Sequence, residues 1–129
     1  MVKKVLAVWL IVSDIERSVA FYRDTLGLPL KSTEEGFADF KTEGIEVALG
    51  RRDIVEGAIG KENVAISGPR HLVISWEAVE NVDALYQELK AKGVPFLSEP
   101  KTQPWGQRVA YFTDPDGHIW EISSWVKEG

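Results

Sequence analysis

A chain of 129 residues with no cysteine has neither a disulfide framework nor thiol chemistry, and it is long enough for one domain to bury a core without staples. Hydrophobic residues at 44% and charged residues at 27% describe an ordinary globular domain and exclude disorder and low complexity. The net charge of −5 argues against a nucleic-acid or anionic-membrane surface, because phosphate binding needs clustered Lys and Arg, and beyond Lys3-Lys4 the one basic pair is Arg51-Arg52.

Lys3-Lys4 followed by the apolar run Val5 to Val12 imitates a signal peptide, but the run is short and Ser13-Asp14 follows with no small-residue cleavage pattern, so a buried first strand is expected. Ser13-Asp14-Ile15-Glu16 reads as a capping box in which the Ser13 hydroxyl takes an orphan helix N–H and Glu16 reaches back. Ile15, Val19, Tyr22 and Leu26 then recur at helical spacing, and Gly27 and Pro29 end the helix. Three short strands are predicted at Leu28 to Ser32, Phe37 to Lys41 and Ile45 to Leu49. From Arg51 to Arg70 the pattern dissolves into charges, glycines and Pro69, as in a linker between two units or a flap.

The order then repeats. His71 to Trp76 is a short apolar strand, and Asn81 caps a helix with Val82, Leu85 and Leu89 on one face and Gly93 at its end. Gly93-Val94-Pro95 echoes Gly27-Leu28-Pro29. Strands follow at Phe96 to Ser98, Val109 to Phe112 and Ile119 to Trp125, with Glu99 to Gln107 as a loop. The chain is therefore expected to be an internal duplication within a single domain, 1–129, with module one at 3–50, a connecting segment at 51–69 and module two at 70–126. Two tandem βαβββ modules make an α+β fold with a curved mixed sheet, and half-sheets with open edges suggest pairing as a dimer.

The turn Asp114-Pro115-Asp116-Gly117 feeds a strand in which Glu121 stands alone between Trp120 and Ile122. A strand this apolar rarely holds an idle carboxylate. The run Val12-Ser13-Asp14-Ile15-Glu16-Arg17-Ser18 leading to Phe21-Tyr22 and Leu26-Gly27, together with His71-Leu72-Val73, Trp105-Gly106 and the closing stretch from Asp114 to Glu121, resembles the vicinal oxygen chelate superfamily. That superfamily includes glyoxalase I, bleomycin-resistance proteins, fosfomycin-resistance enzymes and extradiol dioxygenases. The resemblance implies a concave sheet face and, in enzymatic members, a divalent metal held by one residue on the first strand and one on the last strand of each module. Carried onto this chain, it makes His71 and Glu121 the metal ligands of module two, suited to Fe, Mn, Ni, Zn or Co. Their counterparts in module one are Ala7, counted from the helix start, and Ala48, counted from Gly44 against Gly117. Neither alanine can coordinate. His118, three residues before Glu121, falls on the opposite face of an ideal strand.

Strand parity then sorts the remaining candidates. Trp9, Val73, Ser75, Ile119 and Ser123 share the face of the implied ligands, while Trp76 and Trp120 face the helices. Trp105 and Arg108 in the long loop region are candidates to cover the cavity with an indole and a cation. The first reading is a cytoplasmic, homodimeric protein that sequesters a planar small molecule, with Trp9, Val73, Ser75, Trp105, Arg108 and Ser123 as ligand-binding residues and no cofactor. The alternative is a metal-dependent lyase, isomerase or dioxygenase using His71 and Glu121, with Glu46 as candidate base because it shares parity with Ala48. Neither reading calls for nucleic acid or a membrane as partner.

Overall fold

The computed structural model describes residues 5–64, 72–78 and 81–126. The chain divides into two compact units, residues 1–68 and 69–129. Each holds its own four-stranded mixed sheet, ordered β1-β4-β3-β2 in the first unit and β5-β8-β7-β6 in the second. The first and last strands of each unit pair in parallel, and the other pairs are antiparallel. This is the duplicated α+β architecture expected from the repeat.

The first unit begins with β1, Ala7–Val12, whose Leu10 and Val12 are buried while Trp9 is exposed, the alternation of a strand with one covered face. Helix α1, Ile15–Ala20, follows and continues as a π-turn over Phe21–Thr25, with the Leu26 N–H bonded to the Phe21 carbonyl. Its cap is Asp14 rather than Ser13: the Asp14 carboxylate accepts from the Arg17 N–H at 3.0 Å, and the Ser13 hydroxyl instead accepts from the Arg17 guanidinium at 2.9 Å. A charged acceptor one residue nearer the helix takes the orphan donor, and with Arg17 at the third helical position the cap is a single Asp14 bond rather than the expected capping box. Strands β2, Leu30–Glu34, β3, Phe37–Phe40, and β4, Glu46–Arg51, complete the sheet. β2 starts two residues later than predicted because Pro29 has no N–H for the ladder; its carbonyl still accepts from Lys41. Tyr22 and Phe40 are fully buried with ring centroids 5.7 Å apart, and Val12 and Leu49 close the same core. Each contributes about 1.5–3 kcal/mol by burial.

The predicted linker is partly a helix. β4 runs straight into α2, Arg52–Ile59, which is followed by a short 3-10 turn at Lys61–Asn63. Its apolar residues, Ile54 and Val55, sit among charges that blur the helical period, although Arg52 and Glu56 form an i,i+4 ion pair at 2.7 Å that supports it. Residues 65–71, including His71, lie outside the described residues.

The second unit contains β5, Val73–Glu77, α3, Val82–Ala91, β6, Lys101–Thr102, β7, Gln107–Thr113, and β8, Ile119–Trp125. Asn81 caps α3 as expected, accepting from the Ala84 N–H at 2.7 Å. The strand predicted at Phe96 to Ser98 is reduced to an isolated bridge from Phe96 to Phe112, and β6 forms inside the predicted loop, paired with β7 at Lys101 and Thr102. Pro95 and Pro100 flank that stretch and remove two ladder donors, so pairing resumes only beyond them. Phe96 packs on Tyr86 and Phe112, and Phe112 stacks on Trp120 with planes 7° apart, joining α3 to the sheet. Before β8 the Asp114 carboxylate accepts from the N–H groups of Asp116 and His118, and Gly117 takes φ of 83°, so the turn is fixed by its own side chain.

Candidate functional site

In each unit the helix following the first strand covers one sheet face and leaves the other accessible to varying degrees. On the first unit's open face β1 presents Ala7, Trp9 and Ile11, and β4 presents Glu46, Ala48 and Gly50 beside them in parallel register. Trp9 is 51% exposed and meets Phe37 edge-on, with ring centroids 5.5 Å apart and planes at 87°. The pair borders a cleft of about 210 Å³ whose other walls are Ser32, Glu34 and Asp39. The Ser32 hydroxyl donates to Asp39 at 3.1 Å, holding that carboxylate against the strand. An indole face beside two carboxylates suits a flat group that carries positive charge, since the ring quadrupole and the carboxylates attract it together.

Glu46, the candidate base, lies on this face, but its carboxylate accepts from the Lys31 ammonium at 2.6 Å. The same bond raises the Lys31 pKa. Glu46 therefore stands as an ion-pair partner rather than a free carboxylate.

Gly44 and Gly117 turn the chain into β4 and β8 with φ of 81° and 83°, and Phe40 pairs with Val47 as Phe112 pairs with Trp120, so Ala48 stands in β4 where Glu121 stands in β8. Gly50 has no side chain, and a Cβ built there would stand 2.8 Å from Val55 Cγ2 of α2 and 3.4 Å from the Trp9 ring. The counterparts read from the sequence, Ala7 and Ala48, carry no donor atom, and Val55 of α2 lies over the neighbouring Gly50.

The second unit's open face is polar at its centre. Glu121 accepts from the Ser75 hydroxyl at 2.8 Å, directly across the parallel ladder, and Ser75 is 3.2 Å from the Ser123 hydroxyl. Tyr111 lies opposite Glu121 on β7 and donates its phenolic hydrogen bond to the carboxylate. That hydrogen bond, then burial, then the negative charge raise the Tyr111 pKa above the ordinary phenol value. Ser123 is buried, and Val73 on the same face is half-exposed. Val73 and Ser75 are exposed and Trp120 is buried, the alternation that parity gives, whereas Ser123 is buried along with Ile122.

Two expected residues lie elsewhere. Arg108 is on the helix side of β7, where it forks onto Asp83 of α3 with bonds of 2.7 and 2.8 Å and also reaches Thr102. It ties α3 to the sheet and lowers the Asp83 pKa through that bond. Trp105 is 62% exposed and donates from its indole to Gln107 at 2.9 Å, at the end of β7 next to the exposed Trp125. The residues that sequence reasoning missed are Phe37, Asp39, Tyr111 and Val55. The first three sit at alternate strand positions and follow from pairing, which the sequence does not print.

Among the described residues no group of three or more His, Cys, Asp and Glu side chains converges to hold a metal ion. Glu121, with Ser75 and Tyr111 on its oxygens, offers one carboxylate, and the described residues by themselves do not fit a catalytic metal.

The family model for the Glyoxalase/Bleomycin resistance protein/Dioxygenase superfamily matches residues 4–122. An uncharacterized protein YraH of Bacillus subtilis strain 168 is 34% identical, over 92% of this chain and 96% of that one. Metallothiol transferase FosB of Lysinibacillus sphaericus is 32% identical over 86% of this chain and 74% of its own, and a bleomycin resistance protein of Geobacillus stearothermophilus is 29% identical over 90% and 92%. A crystal structure of a glyoxalase/bleomycin resistance protein/dioxygenase from Nocardioides superposes with a TM-score of 0.84 at 30% identity, covering all of this chain and 87% of that one. Among the described residues no helix is long and apolar enough to cross a membrane.

Proposed function

Because the chain belongs to the Glyoxalase/Bleomycin resistance protein/Dioxygenase superfamily, we propose that it is a small-molecule-binding protein that holds a planar ligand on its open sheet face without a complete metal site. The observation that carries this reading is the first unit's face, where the implied ligand positions have no donor atoms and an exposed Trp9 stands beside Phe37, Asp39 and Glu34. The relatives named bleomycin resistance protein support a ligand-sequestering role. A planar cation fits best: its flat face stacks on the indole, and the two carboxylates meet its charge. Val73, Ser75 and Ser123 serve the same purpose on the second face, with Glu121 as acceptor for a ligand donor. Titration of chelator-treated protein with metal-free bleomycin, read by tryptophan quenching and calorimetry, tests the proposal. Saturable binding with one plateau supports it, and binding that appears only after a divalent metal is added overturns it.

A second reading has the FosB relatives in its favour: a metal-dependent enzyme in which His71 and Glu121 are ligands. Elemental analysis of protein purified without chelators separates the two, since stoichiometric Fe, Mn, Ni, Zn or Co is expected only under the second. We further infer a homodimer resident in the cytoplasm, supported by the family resemblance and by the lack of cysteine. Light scattering that returns a single-chain mass of 14.4 kDa would remove the dimer.

A further inference from the structure

We propose that α2 is the specificity element of the first open face, with Val55 as the positioning residue that fixes the Trp9 indole. The inference rests on the reading of that face as the ligand site. Its ground is a match between two glycines and two consecutive residues of one helix. A Cβ on Gly50 would lie 2.8 Å from Val55 Cγ2 and 3.4 Å from Trp9 Cε3, so the valine and the benzo edge of the indole meet over the same glycine. A Cβ on Gly36 would lie 2.7 Å from Ile54 Cγ1, and Gly36, at φ of 78°, is the turn residue that delivers Phe37 into β3. One helix therefore abuts β4 at the glycine beside the indole and the turn that leads into Phe37.

The physical consequence is a stop on one side of the indole. Valine in a helix holds essentially one χ1 rotamer, so its methyl groups form a fixed wall rather than an adjustable one. Phe37 meets the indole edge-on at 87°, which leaves the ring with an exposed face of set orientation. A flat ligand needs that orientation, because stacking decays quickly as planes tilt. A compact, non-planar cation needs only the nearby carboxylates. Val55 thus discriminates by ligand shape, although it lies beside the indole and not among the five residues that line the cleft.

The experiment compares wild type, Val55→Ala and Val55→Ile, all chelator-treated, with ethidium as the planar probe and tetramethylammonium as the compact one. Near-UV circular dichroism of Trp9, assigned with Trp9→Phe, is recorded on the same samples, and urea midpoints report folding. Val55→Ala is expected to weaken ethidium roughly 3- to 10-fold by freeing the ring, to leave tetramethylammonium unchanged and to flatten the Trp9 dichroic band. Val55→Ile, which keeps the β-branch, is expected to restore both signals. Unchanged ethidium affinity in Val55→Ala with only a lowered urea midpoint would overturn the inference. If wild type binds neither probe, the ligand-site reading fails by itself, and an unaltered Trp9 band in Val55→Ala then rejects the positioning role as well.

Discussion

The two open faces descend from one module yet carry different chemistry, and the difference lies in what stands at each end of the parallel strand pair. In the first unit β1 and β4 offer Trp9, Ala48 and Gly50, with α2 pressed onto the glycine. In the second, β5 and β8 offer Ser75 and Glu121, joined by a hydrogen bond, with Tyr111 beside them. The sheet order is the same in both. Duplication has kept the buried face and freed the open one, so that one half presents aromatic surface and the other a hydroxyl-bound carboxylate. Buried positions are constrained by packing on both sides, whereas open positions answer only to what binds there.

The largest expected effect tests the shared half of this comparison. Phe40→Ala and Phe112→Ala empty equivalent positions in the two cores, both fully buried, and each is expected to cost about 3–5 kcal/mol by urea unfolding. A much smaller cost in one unit would break the equivalence of the cores. Gly50→Ala comes next: its new methyl group would stand 2.8 Å from Val55, and overpacking of this kind costs about 1–3 kcal/mol. Combining it with Val55→Ala should return most of that loss, and a double-mutant cycle that is simply additive would show that the two residues do not meet.

Trp9→Ala is expected to weaken metal-free bleomycin about tenfold, near 1.4 kcal/mol, while Trp105→Ala leaves it within about twofold. Equal losses would place the ligand elsewhere. The smallest effect belongs to the second face. Glu121→Gln replaces the carboxylate with a neutral, weaker acceptor, which weakens the hydrogen bond that chiefly raises Tyr111 and removes the charge, so the phenol should titrate closer to its ordinary value when followed by ultraviolet absorbance. The folded phenol holds its proton to higher pH than the unfolded one. Its contribution to stability is therefore present below the unfolded pKa, near about 10, and is lost as pH rises through the folded value.

The fold was legible because its signals are local. Turn chemistry at Gly117, the apolar alternation of Ile119–Trp125 and the Asn81 cap each act within a few residues, and the repeat doubled every signal. Helix α2 was not, because Arg51, Arg52, Asp53 and Glu56 interrupt its apolar pattern, and Ile54 packs over Gly36 of the preceding hairpin, a contact that local periodicity does not reveal. Parity read from the strands put Trp9, Ser75, Glu121 and Ser123 on open faces, but parity does not name partners. That Glu46 is taken by Lys31, and Arg108 by Asp83, depends on separations of 15 and 25 residues.

The measurement that bears most directly on the account is calorimetric titration of chelator-treated wild type and Trp9→Ala with metal-free bleomycin. Saturable binding by wild type, weakened about tenfold in the variant and unchanged when Mn or Ni is restored, is the predicted result. Binding that requires the metal, or that ignores the loss of Trp9, would contradict it.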